Sequence, residues 1–262
     1  MFGAVLVCGC EETNIPLATE AGLEALKAVT LTDREVAYLA AGAAKESDRK
    51  NRVAGAGDPY AQRLKRLVGD KLLAEGINFT YKVYLSSTIN AFAMADGTIR
   101  IYAGLMDMMN DEELLFVVGH EMGHITQKHI KKKIMLAYAA SAVRKGLASQ
   151  GNEMGQIARS AVGGIVQALL NAQFSQAEER QADDVGIWFL KQHGFDVNAA
   201  VSALKKLETL GNDHSFLSSH PAPGARAARL KEQVDNPEAI GAPSLIEKLL
   251  AWIRAFISNL LK

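Results

Sequence analysis

The sequence predicts an α+β domain, mainly helical with one small sheet, on three observations. Helix-start signals recur along the chain, and strand-like patterning is confined to residues 80–102. No apolar run reaches the roughly 18 residues that a membrane helix needs. With 262 residues, 48% of them hydrophobic and 22% charged, the chain suits one globular domain with appendages and can bury a core. Its 29 basic and 29 acidic side chains cancel. No basic patch interleaves with aromatics, so nucleic acid is not an expected partner.

The chain opens on an apolar stretch, Met1 to Val7, ending in Val7-Cys8-Gly9-Cys10, which resembles a bacterial lipobox although no Lys or Arg precedes it. Cleavage before Cys10 would leave a lipidated cysteine. Residues 1–10 are then a lipoprotein-type signal segment, and 11–29 a tether beginning Glu11-Glu12-Thr13-Asn14. Cys8 and Cys10 are the only cysteines, so the body holds no disulfide framework.

The domain proper is expected over 30–235. Thr32 and Glu35 form a capping box for a first helix. Asp58-Pro59 starts a second, running to about Glu75 before Gly76. Thr80 to Leu85 is β-rich, and Ala95-Asp96-Gly97 between two apolar runs marks a hairpin. Asp111 caps a long helix expected to run past Lys133. Residues 137–172, rich in Ala, Gly and Ser, read as a helical hairpin, a flap or plain scaffold. Further helices cover Phe174 to about Gln192, closed by Gly194, and Asn198 to Leu210. A loop carries His220-Pro221. Residues 236–244 read as a linker. The stretch 245–262 is an amphipathic helix that suits a membrane interface, its own domain or self-association, which leaves an oligomer open.

The chemistry is concentrated in His120-Glu121-Met122-Gly123-His124. Histidines at i and i+4 sit about 40° apart round a helix, so both rings leave one face and can clamp a metal such as zinc. Glu121, about 100° round from His120, can reach a metal-bound water without being a ligand. Zinc lowers the pKa of such a water to about 7, and the carboxylate takes its proton as it attacks a carbonyl. A catalytic zinc needs a third protein ligand. His129 is about 180° from His120 and cannot reach the ion while the helix stays intact, so a neutral surface or supporting role is expected of it. His193 and His214 have no supporting pattern. A carboxylate from Ser175-Gln176-Ala177-Glu178-Glu179-Arg180-Gln181-Ala182-Asp183 fits better. Glu179 and Asp183 are i,i+4, so one can bind metal while the other accepts a bond from a ligand histidine. On spacing alone Glu178 competes with Glu179.

His-Glu-x-x-His followed by Ser-x-x-x-Glu-x-x-Ala-Asp resembles the zinc metallopeptidases of the HtpX and CAAX-prenyl-protease type, a gluzincin family. Asn90-Ala91-Phe92-Ala93, Gly104-Leu105, Ser219-His220-Pro221 and Arg226 match other blocks of it, over roughly 30–235. Tyr81 to Tyr84 and Gly104 to Met109 resemble its LoiP-like periplasmic lipoprotein branch. Gln176 departs from the arginine usual in the family. The resemblance implies a zincin-like fold, mainly helical with a small mixed sheet whose edge strand, Asn90 to Ala93, lies beside the active-site helix and takes substrate as an added strand. It implies one Zn2+ per chain, held by His120, His124 and Glu179, with Asp183 behind them and Glu121 as general base. His220 and Arg226 are candidates for stabilising the oxyanion, or His220 for the open zinc position at rest.

The expected function is a zinc endopeptidase cleaving unfolded or misfolded envelope proteins, attached by a lipid anchor on Cys10 to the periplasmic side of a bacterial membrane. Glu11 after that cysteine favours the outer one by the enteric sorting rule. The alternative is an envelope chaperone or scaffold that keeps a zincin fold with little turnover.

Overall fold

The computed structural model describes residues 14–69, 77–149, 173–211 and 214–236. Cys10 with its apolar leader, residues 150–172, 237–244 of the expected linker and the amphipathic stretch 245–262 lie outside them. Helix α1 (Ile15–Thr30) takes Asn14 as N-cap and Pro16 in its first turn. Most of the stretch expected to be a tether is therefore helix. The polar Glu11 to Asn14 ends where the apolar periodicity begins, and Ala21 and Ala28 are buried on one face. Ala21 packs against Gly146. Helix α2 (Asp33–Lys50) opens with the predicted Thr32–Glu35 capping box. Helix α3 (Pro59–Val68) opens on Asp58, whose side chain accepts from the Tyr60 amide.

The sheet comprises β1 (Thr80–Tyr84), β2 (Ala91–Ala93) and β3 (Thr98–Tyr102) in the order β1-β3-β2. It is mixed, as expected: β1 runs parallel to β3 and β2 antiparallel, with Ala91 opposite Ile101 and Ala93 opposite Ile99. The predicted Asp-Gly turn joins β2 to β3. Asp96 accepts from the Thr98 amide, and Gly97 supplies φ 91° in a spot where a Cβ would meet the Asn78 carbonyl. Among the described residues no strand lies beyond β2, so it is an edge.

Helix α4 (Ala103–Met108) leads into α5 (Asp111–Thr126). Its cap is Asn110 rather than the expected Asp111, because Glu113 stands three residues after Asn110 and completes a capping box with it. Every residue of α5 from Glu113 to Ile125 is buried, which makes it the axis of the core. Leu114, Leu115, Phe116 and Val118 pack with Ile99 and Ile101 of the sheet and Leu190 and Leu204 of later helices.

The single helix expected from Asp111 past Lys133 is broken. After α5, Lys128 adopts φ 59°, and α6 (His129–Ala148) starts in a new direction. The break is tied down by Asp33, whose two oxygens bind Lys128 and Lys131 at 2.6 Å. Helices α7 (Gln176–Gln192), α8 (Asn198–Glu208), α9 (Ser215–Ser219) and α10 (Pro223–Asp235) complete the described chain. Helix α7 lies hard against α5. A Cβ on Gly123 would stand 2.8 Å from the Ala182 Cα, and one on Gly119 3.0 Å from the Gly186 Cα. Small residues on both helices let the backbones approach, and this sets the distance across the site.

Candidate metal centre

Helix α5 presents His120 and His124 on one face, and α7 presents Glu179 opposite them. The loop after α9 adds His220. One ligand atom from each of these four buried side chains lies within 4.8 Å of all the others. His120 Nε2 and His124 Nε2 are 3.1 Å apart. Glu179 Oε2 is 3.5 Å from the first and Oε1 is 3.4 Å from the second. His220 Nδ1 is 3.1 Å from Glu179 Oε1 and 3.3 Å from His120 Nε2. Glu121 is buried beside them, with Oε1 3.5 Å from His220 Nε2.

The fourth position is held in place by stacking. Phe216 lies on the His220 ring at 4.6 Å, and Phe174 on the His124 ring at 3.7 Å. The Phe174 amide donates to the Ser219 carbonyl at 3.0 Å, joining the entry to α7 with the His220 loop.

Behind the ligands, His120 Nδ1 meets Asp183 Oδ1 at 3.0 Å. Arg226 of α10 donates to both Asp183 oxygens, at 2.6 and 2.9 Å, and pairs with Glu179. Burial alone would raise the Asp183 carboxyl, but the Arg226 charge outweighs it and holds the group at about 2. The same contest leaves Glu179 well below the usual carboxylate range. Burial pushes His124 well below the ordinary histidine value, so its ring is neutral.

The geometry separates the two candidate glutamates. Glu178 closes a capping box with Ser175 at the start of α7 and binds Lys132 at 2.9 Å, whereas Glu179 points into the cluster. Arg226 corrects an expectation. Its contacts go to Asp183, Glu179 and His120, because a buried guanidinium needs anionic partners, so it holds the carboxylates instead of reaching for an oxyanion. His220 belongs with the ligand atoms. Asn90, Ala91, Phe92 and Ala93 form the edge strand and its entry, packed on the α5 side of the sheet. Gln176 is exposed. His193 bonds the Phe189 carbonyl and His214 caps α9, so both are structural.

One neighbour of the site, Lys133, went unrecognised in the sequence, and another, His129, was expected only in a neutral surface or supporting role. Lys133 sits 3.7 Å over the Phe174 ring, and burial lowers its pKa to about 8. His129 is buried, and its Nδ1 lies 3.1 Å from His124 Nδ1. Rejecting it as a ligand agrees with the cluster, but the assumption of an intact helix does not. The signal for the break was faint, since Thr126-Gln127-Lys128 contains neither Gly nor Pro.

Peptidase family M48 matches residues 60–234. The metalloprotease LoiP of Escherichia coli is 37% identical over 239 residues, covering 89% of this chain and 94% of the relative. The metalloprotease YcaL of the same organism is 36% identical, covering 88% and 93%. A β-barrel assembly-enhancing protease of Yersinia pestis is 27% identical over 75% of this chain and 44% of its own. No helix among the described residues is long and apolar enough to cross a membrane.

Proposed function

We propose that this chain, which belongs to peptidase family M48 and is a metalloprotease, is a zinc-dependent endopeptidase acting on unfolded or misfolded proteins of a bacterial envelope. The observation that carries this reading is the convergence of His120, His124 and Glu179 with Glu121 at their side. Two imidazole nitrogens and a carboxylate, all buried, are the donor set and number that a catalytic zinc takes. Zinc there would supply a Lewis acid and a water whose pKa is lowered to about 7.

Glu121 Oε1 is buried and has no hydrogen-bond partner among the described residues. Its carboxylate can take the proton of the attacking water and pass it to the amine that leaves. Asp183 accepts from His120 Nδ1, which keeps Nε2 of that ring turned to the cluster. His220, lying among these side chains, would be a fourth donor to the metal at rest.

Substrate would join the free edge of β2. Asn90 pairs with Tyr102 and Met94 with Thr98 across the hairpin, so the alternation of an antiparallel pair aims the backbone groups of Ala91 and Ala93 at the free edge, where the Ala91 amide is held by the Asn90 side chain. Recognition through main-chain hydrogen bonds reads backbone more than side chain, which suits unfolded segments. A lipid anchor at Cys10 would hold the enzyme on the periplasmic face, where such segments arise.

The test is Glu121→Gln. Zinc content by elemental mass spectrometry should be unchanged while casein cleavage falls about 10²- to 10⁴-fold. Cleavage at the normal rate by a zinc-loaded Glu121→Gln protein would overturn the reading.

A further inference from the structure

A zinc-ligating histidine leaves one ring nitrogen over, and what that nitrogen bonds decides which tautomer the ring adopts. For His120 the partner is the Asp183 carboxylate. For His124 it is a second histidine. His124 Nδ1 and His129 Nδ1 stand 3.1 Å apart, and His129 Nε2 stands 2.8 Å from Gln181 Oε1 on α7. Both rings are buried.

The proton positions follow by elimination. Nε2 of His124 points at the other ligand atoms, so it must be bare to hold a metal, and Nδ1 carries the hydrogen. Nδ1 of His129 must then accept, which places the hydrogen of that ring on Nε2, where the Gln181 side-chain oxygen accepts it. The opposite register would put a hydrogen on His124 Nε2 and close the metal position.

His129 arrives there only through the chain break. On a continuous helix it would lie about 140° round from His124. Lys128 instead takes φ 59°, a left-handed conformation costing a non-glycine residue about 1–3 kcal/mol, and such outliers gather at functional sites. Asp33 grips Lys128 and Lys131 on either side of His129.

We infer that His129 and Gln181 form a neutral relay whose task is to fix the tautomer of His124, so that Nε2 is available to the metal. His129 is a positioning residue. The inference rests on the zinc reading above, and its test reads metal affinity with no need for turnover.

Three variants of the full chain decide it. Asn has its side-chain oxygen where histidine has Nδ1, so His129→Asn can still accept from His124. Gln places its oxygen where Nε2 was, and Leu accepts nothing. In competition with a chromophoric chelator, His129→Leu should bind zinc about 10- to 100-fold more weakly. His129→Gln should behave like Leu, and His129→Asn should stay within a few-fold of the native chain. A smaller loss is expected for Gln181→Leu. Equal losses for Asn and Leu would overturn the relay in favour of simple packing, and so would native affinity in His129→Leu. If the native chain itself binds no zinc, the function proposed above fails instead.

Discussion

His120 and His124 stand four residues apart on α5, yet their outer nitrogens are held by opposite means. On the His120 flank, Asp183 is locked by Arg226, and a buried ion network joins α5, α7 and α10. On the His124 flank the partner is His129, a neutral ring that burial keeps below the ordinary histidine value, and the chain of bonds ends on the exposed Gln181. The charged flank does two jobs, supporting a ligand and docking a helix. The neutral flank does one. A charge there would be buried beside an already neutral ring, and burial outweighs the pull of Glu178 and Glu179.

The sharpest break in that comparison is Asp183→Ala. It strands Arg226 with Glu179 alone and leaves His120 Nδ1 without an acceptor. Removing one partner of a buried ion pair costs about 3–5 kcal/mol, so the metal-free protein should melt far lower. Zinc affinity should fall as well, by about 10- to 100-fold. His129→Leu should match that loss of affinity with a much smaller drop in the melting temperature of the metal-free form. Equal destabilisation from the two would erase the distinction between the flanks.

Acid separates them next, and the signs differ in origin. His124 and His129 have depressed values in the fold, so the unfolded chain binds more protons below about pH 6.5. Their contribution is complete above that pH and falls away as acid is added. Asp183 has a folded value of about 2 against a free value of 3.8. Its contribution, about 2 kcal/mol, is present above pH 4 and is lost only as the pH falls toward 2. Melting temperature in the presence of a chelator should therefore decline in two stages, first from pH 6.5 and again below 4. Glu179, also depressed, shares the second stage, so Asp183→Asn should shrink that stage and spare the first.

The carboxylates of the charged flank were legible in the sequence, whereas the geometry that brings His129 to His124 was not, for a physical reason. Glu179 and Asp183 are i,i+4 on one helix, as are His120 and His124, and a regular helix converts such spacing into a shared face. Gly123, inside the motif, then fits against Ala182 and brings the two faces together. His129 depends on a left-handed residue, Lys128, that no local propensity favours and that Asp33, nearly a hundred residues upstream, secures. Long-range control of one backbone dihedral leaves no periodic trace. The Asn110 cap could have been read, since Asn110 and Glu113 have the spacing of a capping box. So could the role of Glu178, because Ser175 stands three residues before it.

That last pair supplies the mildest test. Glu178 neighbours Glu179 in sequence but serves the His124 flank from outside, capping α7 and binding Lys132 of α6. Glu178→Ala should cost about 1 kcal/mol, the ordinary worth of a capping interaction, and leave zinc affinity unchanged. The comparison with His129→Leu is then direct. Both variants loosen the seam between α6 and α7, but only one removes the acceptor for His124 Nδ1. If Glu178→Ala weakened zinc as much as His129→Leu, the neutral flank would act by docking α6 on α7 and the tautomer would be incidental. If zinc binding holds while the melting temperature drops slightly, the flank's effect on the metal runs through one hydrogen bond.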